Sequence, residues 1–593
     1  MELTKDKEKQ PKDKKQSQDE QKLVQKVQNQ FIEARTIKAP EEKKWARQED
    51  YYIGDQWKSK PAYEGQVQPV TNICFSIVES IIPQLTDNRP QIVCLPTEPN
   101  DEKKAEVLTN IIEYVWDVRD MDYKLILNER TRIKHGMGIY KVFWNPELLN
   151  GLGDIDIINV PLDQFFISPR AKSVQDSDYV IYASQKSVEY IKKRYGKDVQ
   201  TDNKYDEISV FDDTDDSPKR DNKVLLIEYW TKENGEIRLV TIAGDTVLRD
   251  EKSFYKHGRY PFVAIPAFPV EKKFWAMGVL AQIMSPQMIV NLLDQQILDN
   301  ARLGGNGTIL NGAGSGLNKR NMTNLPYKIL DVNDPNAVKF EMGQGIPTFI
   351  PNHLEVKKRD AEAVSGIHDV TQGKAPAGVT AASAILALQE SANQRVRLLG
   401  RTLEAGLKEI GELIIELVRE FYTEERYIRV LGENYKASFI KFKSDDLKEV
   451  KEYPDPVTGE KETIEIDPDF DIRVEVGSSM QYSKAFIYEQ AKELFGMGVI
   501  DEIALLEVVK FPKAEEVLER KQQAMQQQAQ QVPQAPTGPQ QPPAPPGPPQ
   551  APAGDLDTML EGAPPDIQMQ VDQMRMQGIP DNEIIQMLTT PQM

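Results

Sequence analysis

Apolar residues recur along the chain with two different periods. Between residues 45 and 275, helical spacing alternates with short runs in which every second residue is apolar, the pattern of half-buried strands. Helices are predicted at 45–52, 70–82, 101–135 and 187–195, and strands at 91–95, 139–144, 155–160, 165–167, 179–184, 224–230, 237–243 and 246–248. Asn234-Gly235 predicts a hairpin turn between two of these strands. This region is therefore expected to form a mixed α+β domain.

After Trp275 the apolar pattern changes to long helical stretches. Helices are predicted at 278–303, 352–368 and 380–423, the first roughly 40 Å long and the last on the order of 65 Å, at 1.5 Å rise per residue. Pro286 lies inside the first and is expected to kink it. The glycine-rich stretch that follows carries short predicted strands at 327–332 and 338–341. Further on, strands are predicted at 427–430, 439–442 and 471–476, and helices at 482–497 and 501–508.

Both ends of the chain are polar and of low complexity. Residues 1–30 are rich in Lys, Asp, Glu and Gln, so they are expected to be disordered, or helical only when docked, with order beginning near Phe31. From about residue 520 the sequence is rich in Gln and Pro, which predicts a disordered or polyproline-type tail. A weak Met/Ile periodicity at 570–590 is compatible with a short docking helix.

The order of these elements favours a repeating assembly. A long helix leaves the α+β domain, a small glycine-rich module follows, and a second helix returns before a Gly/Pro-containing loop and the longest helix. Two such helices offer each other too little apolar surface to be stable alone. We therefore expect them to pack side by side with identical copies in a closed ring.

Charge and cysteine content narrow the possible partners. The chain has 92 acidic against 73 basic residues and a net charge of -19, which disfavours tight, sequence-independent DNA binding. The two cysteines, Cys74 and Cys94, lie in apolar surroundings and are expected to be buried free thiols in a reducing compartment. No apolar stretch follows Met1 and no run of about 18 apolar residues occurs, so neither a signal peptide nor a membrane span is expected.

A search for catalytic motifs finds none that meets its spacing requirement. The segment 366–375 resembles a phosphate-binding loop, but six residues separate its glycines and Ala375 stands where Mg²⁺ binding needs a hydroxyl. The glycines at 312–316 lack dinucleotide spacing, the acidic run at 212–216 lacks the calcium-loop pattern, and no GxSxG occurs. The histidines His135, His257, His353 and His368 are scattered, without HExxH. No catalytic, cofactor or metal site is predicted, and the protein is not expected to be an enzyme.

Several short segments, in their order along residues 40–500, resemble the portal proteins of tailed bacteriophages, particularly those of short-tailed phages. These segments are Asp50-Tyr51-Tyr52-Ile53-Gly54-Asp55-Gln56-Trp57, Thr71-Asn72-Ile73, Asp87-Asn88-Arg89-Pro90, Val160-Pro161-Leu162-Asp163-Gln164-Phe165, Ser168-Pro169-Arg170-Ala171, Gly366-Ile367 and Thr371-Gln372-Gly373. None of them is catalytic. Their specificity comes from their order and spacing around the paired helices.

The resemblance implies a division of the chain into the regions of a portal subunit: a mixed α/β wing, a helical stem, a small clip with β-structure, a helical crown and disordered termini. The implied bounds are a polar N-terminal segment at 1–44, a wing at 45–275 and 381–480, a stem at 276–303 and 351–370, a clip at 304–350, a channel-facing tunnel loop at 371–380, a crown at 481–520 and a Pro/Gln-rich tail at 521–593.

The resemblance also implies a function. Portal proteins form twelve-subunit rings at one capsid vertex of the virion, pass double-stranded DNA during packaging and ejection, and dock the terminase motor, capsid and scaffold proteins, and head-completion or tail adaptor proteins. The chain is then expected to be made in the host cytoplasm, and to need no cofactor and no membrane. Two alternatives remain open at this point: another structural virion protein, such as an adaptor or tail component, and a nucleotide-hydrolysing enzyme.

Candidate channel residues lie on the two stem helices and in the tunnel loop. They are Asp294, Asp299 and Arg302 on the outgoing helix, Lys357, Lys358 and Arg359 on the returning helix, and Gln372, Gly373, Lys374 and Gly378 in the loop. Carboxylates lining a channel would repel phosphate, whereas scattered lysines would give weak, transient contacts. The alternative for the helical residues is ion pairing between subunits. For Lys374, the best candidate for touching DNA, the alternative is an exposed lysine without a role.

Overall fold

A computed structural model of the chain describes residues 11–63, 66–87, 89–200, 223–305, 308–317, 332–341, 346–367, 394–431, 437–454, 461–466, 468–475 and 491–509, together with Arg520 and Val571. The chain divides into two units, Met1–Val509 and Lys510–Met593, and all elements named below belong to the first. Helices and strands alternate within it, so the predicted α+β class is confirmed.

The helices are α1 (Pro11–Ile53), α2 (Ile73–Thr86), α3 (Glu102–Val118), α4 (Met121–His135), α5 (Val188–Tyr195), α6 (Leu280–Gly305), α7 (Phe349–Ser365), α8 (Gln394–Phe421) and α9 (Glu502–Val509). The predicted continuous helix at 101–135 is wrong. It is broken by Asp120, whose φ of 51° is left-handed and cannot continue a helix. The predicted helices at 380–423 and 482–497 are described only from residues 394 and 491 onward.

Within the described residues, the strands form six antiparallel sheets. Their bounds are β1 (Gln91–Pro96), β2 (Met137–Asn145), β3 (Asp154–Asn159), β4 (Phe165–Ile167), β5 (Tyr179–Ser187), β6 (Lys223–Glu233), β7 (Glu236–Ala243), β8 (Thr246–Tyr255), β9 (Phe262–Pro266), β10 (Thr308–Asn311), β11 (Val338–Glu341), β12 (Arg426–Leu431), β13 (Ala437–Phe442), β14 (Glu449–Pro454), β15 (Lys461–Ile466) and β16 (Phe470–Glu475). The sheets have the orders β4-β5-β6-β7-β8, β3-β2-β9, β1-β16, β10-β11, β12-β13 and β14-β15. The predicted hairpin turn is confirmed, because Asn234 and Gly235 both have positive φ between β6 and β7.

Parts of the chain separated by more than 370 residues share one core. Strand β1 pairs with β16, with Ile92 opposite Val474, and α8 packs across β2, β9 and β16. The helix approaches these strands closely at two glycines. A Cβ on Gly406 would lie 2.4 Å from the Ile265 side chain, and one on Gly411 would lie 3.0 Å from Ile92. The region before α6 and the region after α7 are therefore one folded body.

Helix α1 begins twenty residues earlier than the predicted onset of order at Phe31. Val24, Val27, Phe31 and Ala34 are buried against one face of the five-stranded sheet. Their spacing of three and four residues gives one apolar stripe in an otherwise polar segment. The polar N-terminal region is thus helical and docked, the second of the two predicted possibilities, from the point where the structure describes it.

A buried lysine lies where α1 meets the main core. Lys38 is 2% exposed, and its Nζ lies 2.9 Å from Glu42 and 3.9 Å from the centre of the Phe166 ring. The rings of Trp45 and Trp275 complete the surroundings, each 5.8 Å away. Burial lowers the pKa of Lys38 to about 8, although Glu42 opposes this shift.

This lysine predicts an unusual pH dependence of stability. Because its pKa of about 8 lies below the unfolded value, the native state binds fewer protons above pH 8, and stability rises there with pH. Between pH 7 and 9.5 the group should add about 2 kcal/mol to the free energy of unfolding. Denaturant titrations of the wild type and Lys38→Met at both pH values should show this gain only in the wild type. An equal gain in both proteins would contradict it; Lys43→Met, at an exposed position of α1, is the control.

The two halves of helix α6 lie in different surroundings. In the first half, Leu280 and Ile283 are buried with α2 and α4 in a second apolar core, and Val290 is buried as well. From Leu292 to Arg302 none of the side chains that the structure describes is fully buried. The helix therefore starts inside the body and continues beyond its core.

Candidate functional site

Between the two parts of the chain that share the core, the sequence forms a helix, a β-hairpin and a second helix. Helix α6 is followed by β10 and β11, which pair antiparallel with Thr308 opposite Glu341, and then by α7, which packs against α6. Gly366, with a φ of 78°, ends α7 by donating its backbone N–H to the Glu362 carbonyl over 2.8 Å. The two predicted stem helices thus lie against each other in one chain.

Two buried amides anchor α6 at the point where it leaves the core. Gln287, which is fully buried, accepts a hydrogen bond from the Ile73 N–H (2.9 Å) and donates to the Thr71 carbonyl (2.7 Å). It also donates to Asn291 Oδ1 over 2.9 Å. Asn291 in turn donates from Nδ2 to Gln56 Oε1 over 2.6 Å.

The network continues into the turn that joins α1 to α2. Gln56 donates to the Tyr51 carbonyl (2.8 Å) and to Asn72 Oδ1 (3.3 Å). Asn72 caps α2 by accepting from the Phe75 N–H, and donates to the Tyr52 carbonyl over 2.8 Å. We call Gln56, Asn72, Gln287 and Asn291 the polar hub. Two segments of the family resemblance, 50–57 and 71–73, meet at this hub and therefore have a structural role.

Substitution of one hub amide tests this anchoring role. Asn291→Leu keeps the branched shape and the number of side-chain heavy atoms but leaves Gln56 Oε1 without its donor in a buried site. We expect a loss of about 1–3 kcal/mol in the free energy of unfolding, measured by denaturant titration. Gln296→Leu, at an exposed position of the same helix, should change stability by less than about 0.5 kcal/mol. Equal stability of the two variants would exclude the anchoring role.

The turn between α1 and α2 continues along the second half of α6. Gln295 donates to the Val67 carbonyl over 3.2 Å, and Trp57 closes the turn by donating to the Pro69 carbonyl over 2.9 Å. Asp299 accepts hydrogen bonds from the Tyr63 hydroxyl (2.6 Å) and from Gln66 (3.2 Å). These polar contacts stabilise the second half of α6, which lies outside the apolar core.

Ionised side chains lie where α1, α2 and α4 meet. Tyr52 donates to Glu79, which also binds the Arg130 guanidinium through two bonds of 2.9 and 3.0 Å. The Arg130 hydrogen bond lowers the pKa of Glu79. Burial alone would raise the pKa of Glu49, but hydrogen bonds from His135 and Lys134 lower it to about 2. These carboxylates are therefore structural anions, held by neighbouring cations of α4.

The candidate channel residues on the helices have partners in their own chain in several cases. Asp299 is bound by Tyr63 and Gln66, as described above. Lys357 pairs with Asp360 over 2.7 Å and Lys358 with Glu355 over 3.2 Å, both within α7. Such exposed pairs contribute little to stability.

The other candidate residues on the helices are accessible to solvent: Asp294 is partly exposed, and Arg302 and Arg359 are exposed. Their orientation towards a channel or a neighbouring subunit stays a prediction. Gln372, Gly373, Lys374 and Gly378 lie outside the described residues.

Apolar side chains are exposed on both helices. On α6, Met288 is 43% and Leu292 41% exposed, four residues apart on one face. On α7, Phe349 is 67% and Val356 47% exposed, seven residues apart. We call these two pairs the stem stripes. Large apolar side chains aligned on one helix face are typical of a surface that another helix covers.

Sequence reasoning missed the polar hub. Its signal was present, because Gln287 and Asn291 follow Leu280, Ile283 and Met284 at helical spacing, on the face predicted to be apolar. Their partners could not be identified, since Gln56 lies more than 200 residues earlier. Buried polar side chains need partners, and those partners are set by the tertiary fold.

The described part of the chain contains no group of three or more His, Cys, Asp or Glu side chains placed to hold a metal ion. None of its helices combines the length and apolar character needed to cross a membrane. Both cysteines are buried and free, as predicted, and burial raises the pKa of Cys74 to about 12 and that of Cys94 to about 11.

Comparison with known proteins identifies the family. The family model of the phage SU10 portal protein matches residues 152–445, and that of the phage P22-like portal protein matches residues 28–245. A solved structure, the neck of an empty GTA particle computed with C6 symmetry, aligns over 74% of this chain and 90% of its own at 11% identity, with a TM-score of 0.35. The two family matches overlap and together extend over residues 28–445, which include the polar hub, the stem stripes and most of the α+β body; β14, β15 and β16 lie beyond them. The chain belongs to the portal proteins of short-tailed phages.

Proposed function

We propose that this portal protein forms a closed ring at one capsid vertex and that double-stranded DNA passes through the ring during packaging and ejection. The observation that carries the proposal is the pair of stem stripes. Burying a side chain such as Leu292 or Val356 contributes about 1.5–3 kcal/mol. Within one chain part of this contribution is missing, because both side chains are more than 40% exposed. A ring of identical copies recovers it at every interface.

The contacts of the body support the proposed division of the subunit. The pairing of β1 with β16 and the packing of α8 on β9 favour one wing built from 45–275 and 381–480. Helices α6 and α7 then serve as the stem, and the hairpin of β10 and β11 serves as the clip. Residues 371–380 are proposed as the tunnel loop and 481–520 as the crown. In this arrangement the polar hub fixes the stem to the wing.

The role proposed for the subunit is structural and non-enzymatic. A net charge of -19 suits a channel past which DNA must slide without sticking. Exposed cations such as Arg302 and Arg359 would supply weak, transient phosphate contacts if they face the channel. The proposed partners are the terminase motor, capsid and scaffold proteins, and head-completion or tail adaptor proteins. The proposed location is the portal vertex of the virion.

The mass of the purified particle tests the ring. Twelve chains of 67.3 kDa give a particle of about 810 kDa, which mass photometry resolves from a monomer. We expect particles of this mass class, and electron micrographs that show a central hole. A chain that stays monomeric across concentration, salt and pH would contradict the proposal.

A further inference from the structure

A cleft of about 270 Å³ lies between strand β1 and helix α3. Its two sides are residues 89–93 and, on α3, Thr109, Ile112, Glu113 and Trp116. One end is closed where the Cys94 N–H donates to Thr109 Oγ1 over 2.9 Å. At the other end Arg89 pairs with Asp117 over 2.7 Å, and its guanidinium lies 6.0 Å from the centre of the Trp116 ring. The strand and the helix therefore separate between these two contacts.

Strand β1 presents one edge of its backbone to the cleft. Within the described residues, β1 pairs only with β16, so its other edge carries no strand. In an antiparallel ladder, every second residue points both its N–H and its C=O away from the partner strand. The outward N–H of Cys94 assigns the even-numbered residues of β1 to this group, and Pro96, which has no N–H, fits the same pattern. Ile92 therefore directs its N–H and C=O towards the cleft that it lines.

The cleft has an apolar floor with an exposed carboxylate beside it. Ile112 is 2% and Trp116 4% exposed, and both belong to the main core. Glu113 lies between them in sequence and is exposed, with no ion pair among the described residues. The charge of Arg89, in contrast, is neutralised by Asp117. An occupant of the cleft would therefore bury an apolar group and place a cation next to Glu113.

The size of the cleft and its backbone edge favour an extended peptide. At about 3.3 Å per residue, residues 89–93 span roughly 13 Å, which is enough for a strand of about four residues. A volume of about 270 Å³ is below the roughly 300–1,000 Å³ of sites for cofactors and drug-sized ligands. An α-helix bonds its own backbone groups and would leave the Ile92 N–H and C=O without partners. An extended segment can bond both groups.

We propose that the cleft binds an extended segment of another protein, which adds as a strand to the edge of β1. The segment pairs its backbone with Ile92, places an apolar side chain over Ile112 and Trp116, and carries a lysine or arginine beside Glu113. Main-chain hydrogen bonds then give affinity, and the floor and the carboxylate give specificity. The inference goes beyond the proposed function, because the site is complete in one chain and shares no residue with the stem stripes.

A synthetic peptide tests the backbone pairing in the full-length protein. The probe is the fluorescein-labelled peptide Thr-Leu-Lys-Leu-Thr, and its binding is followed by fluorescence anisotropy. We expect saturable binding. The same peptide with an N-methylated backbone keeps its side chains and its charge but cannot donate main-chain hydrogen bonds. It should bind at least tenfold more weakly.

A charge exchange tests whether the peptide occupies the cleft. Glu113→Lys should weaken binding of the lysine peptide about fivefold, and replacement of the peptide's lysine by glutamate should restore the affinity. Glu106→Lys is the matched control, since Glu106 is an exposed carboxylate of α3 outside the cleft lining. This variant should bind both peptides like the wild type. Circular dichroism should show that both variants remain folded.

Three results would overturn the inference. The first is the absence of saturable binding, or equal affinities of the unmodified and the N-methylated peptide. The second is unchanged binding by a folded Glu113→Lys variant. The third is binding by the monomer that is lost in the ring, which would assign the cleft to a neighbouring copy. None of these results bears on whether rings form, which the mass of the particle tests separately.

Discussion

Replacement of Arg132 by Met is expected to lower the free energy of unfolding by about 3–5 kcal/mol. Arg132 and Glu129 are both completely buried in α4, and the guanidinium binds both carboxylate oxygens, with Nε at 2.8 Å from Oε1 and 2.9 Å from Oε2. Loss of the arginine leaves an unpaired carboxylate in an apolar interior. Such a group is costly because its charge is no longer compensated.

Arg132 also joins segments that precede α6 and follow α7. Its guanidinium donates to the Pro266 carbonyl at the end of β9 and to Thr402 Oγ1 and the Leu399 carbonyl in α8, over 3.2, 2.9 and 3.2 Å. One side chain thus links α4 to both parts of the proposed wing. The substitution should therefore destabilise the packing between both parts of the proposed wing, and not α4 alone.

A double variant distinguishes the cost of the unpaired Glu129 charge from the cost of losing the Arg132 hydrogen bonds. Arg132→Met combined with Glu129→Leu removes both charges and should recover much of the stability lost by Arg132→Met. Denaturant titration of the three proteins under identical conditions provides the comparison. A single variant within about 1 kcal/mol of the wild type would show that the buried pair does not hold the wing together.

Introduction of a carboxylate into each stem stripe is expected to prevent ring assembly. In Leu292→Glu/Val356→Glu, every interface that covers the stripes would bury unpaired charges, each at a cost of several kcal/mol. The half-assembly concentration should rise at least a hundredfold, which corresponds to about 2.7 kcal/mol. The monomer should remain folded and lose much less stability than the assembly does, because both side chains are more than 40% exposed in one chain.

The control adds the same charges at neighbouring polar positions. Gln296 and Asn352 are exposed residues of α6 and α7, and Gln296→Glu/Asn352→Glu should assemble at near wild-type concentration. Mass photometry across a dilution series compares the three proteins. Normal assembly of the stripe variant would mean that the stem helices do not contact neighbouring copies through these residues.

Most elements in which apolar residues recur with a clear period were predicted from the sequence alone. The strands from β1 to β7 and the helices α2, α6 and α7 appear within a few residues of their predicted bounds, because alternation or helical spacing is visible in each segment. Strand β8 begins at the predicted residue but continues to Tyr255, well beyond its predicted end at residue 248. The hairpin turn at Asn234-Gly235 was predictable for a local reason as well, since both residues tolerate positive φ. The family resemblance, carried by short segments, was confirmed.

Features that depend on distant partners were not predictable. The break at Asp120 was missed because apolar spacing runs through it, and the early start of α1 was missed because Val24 and Val27 gain their apolar surroundings only from the five-stranded sheet. The intrachain partners of Asp299 were missed for the same reason, since Tyr63 precedes it by more than 200 residues. Strands β9, β10, β14 and β15 were also not predicted from the sequence.

An electron cryo-microscopy map of the purified particle tests the central claim most directly, namely that the stem helices are stabilised by identical neighbours around a hollow axis. The map should show α6 and α7 beside the central channel, with Leu292 and Val356 in contact with the adjacent copy. A particle without a channel, or a ring in which both side chains face solvent, would contradict the account.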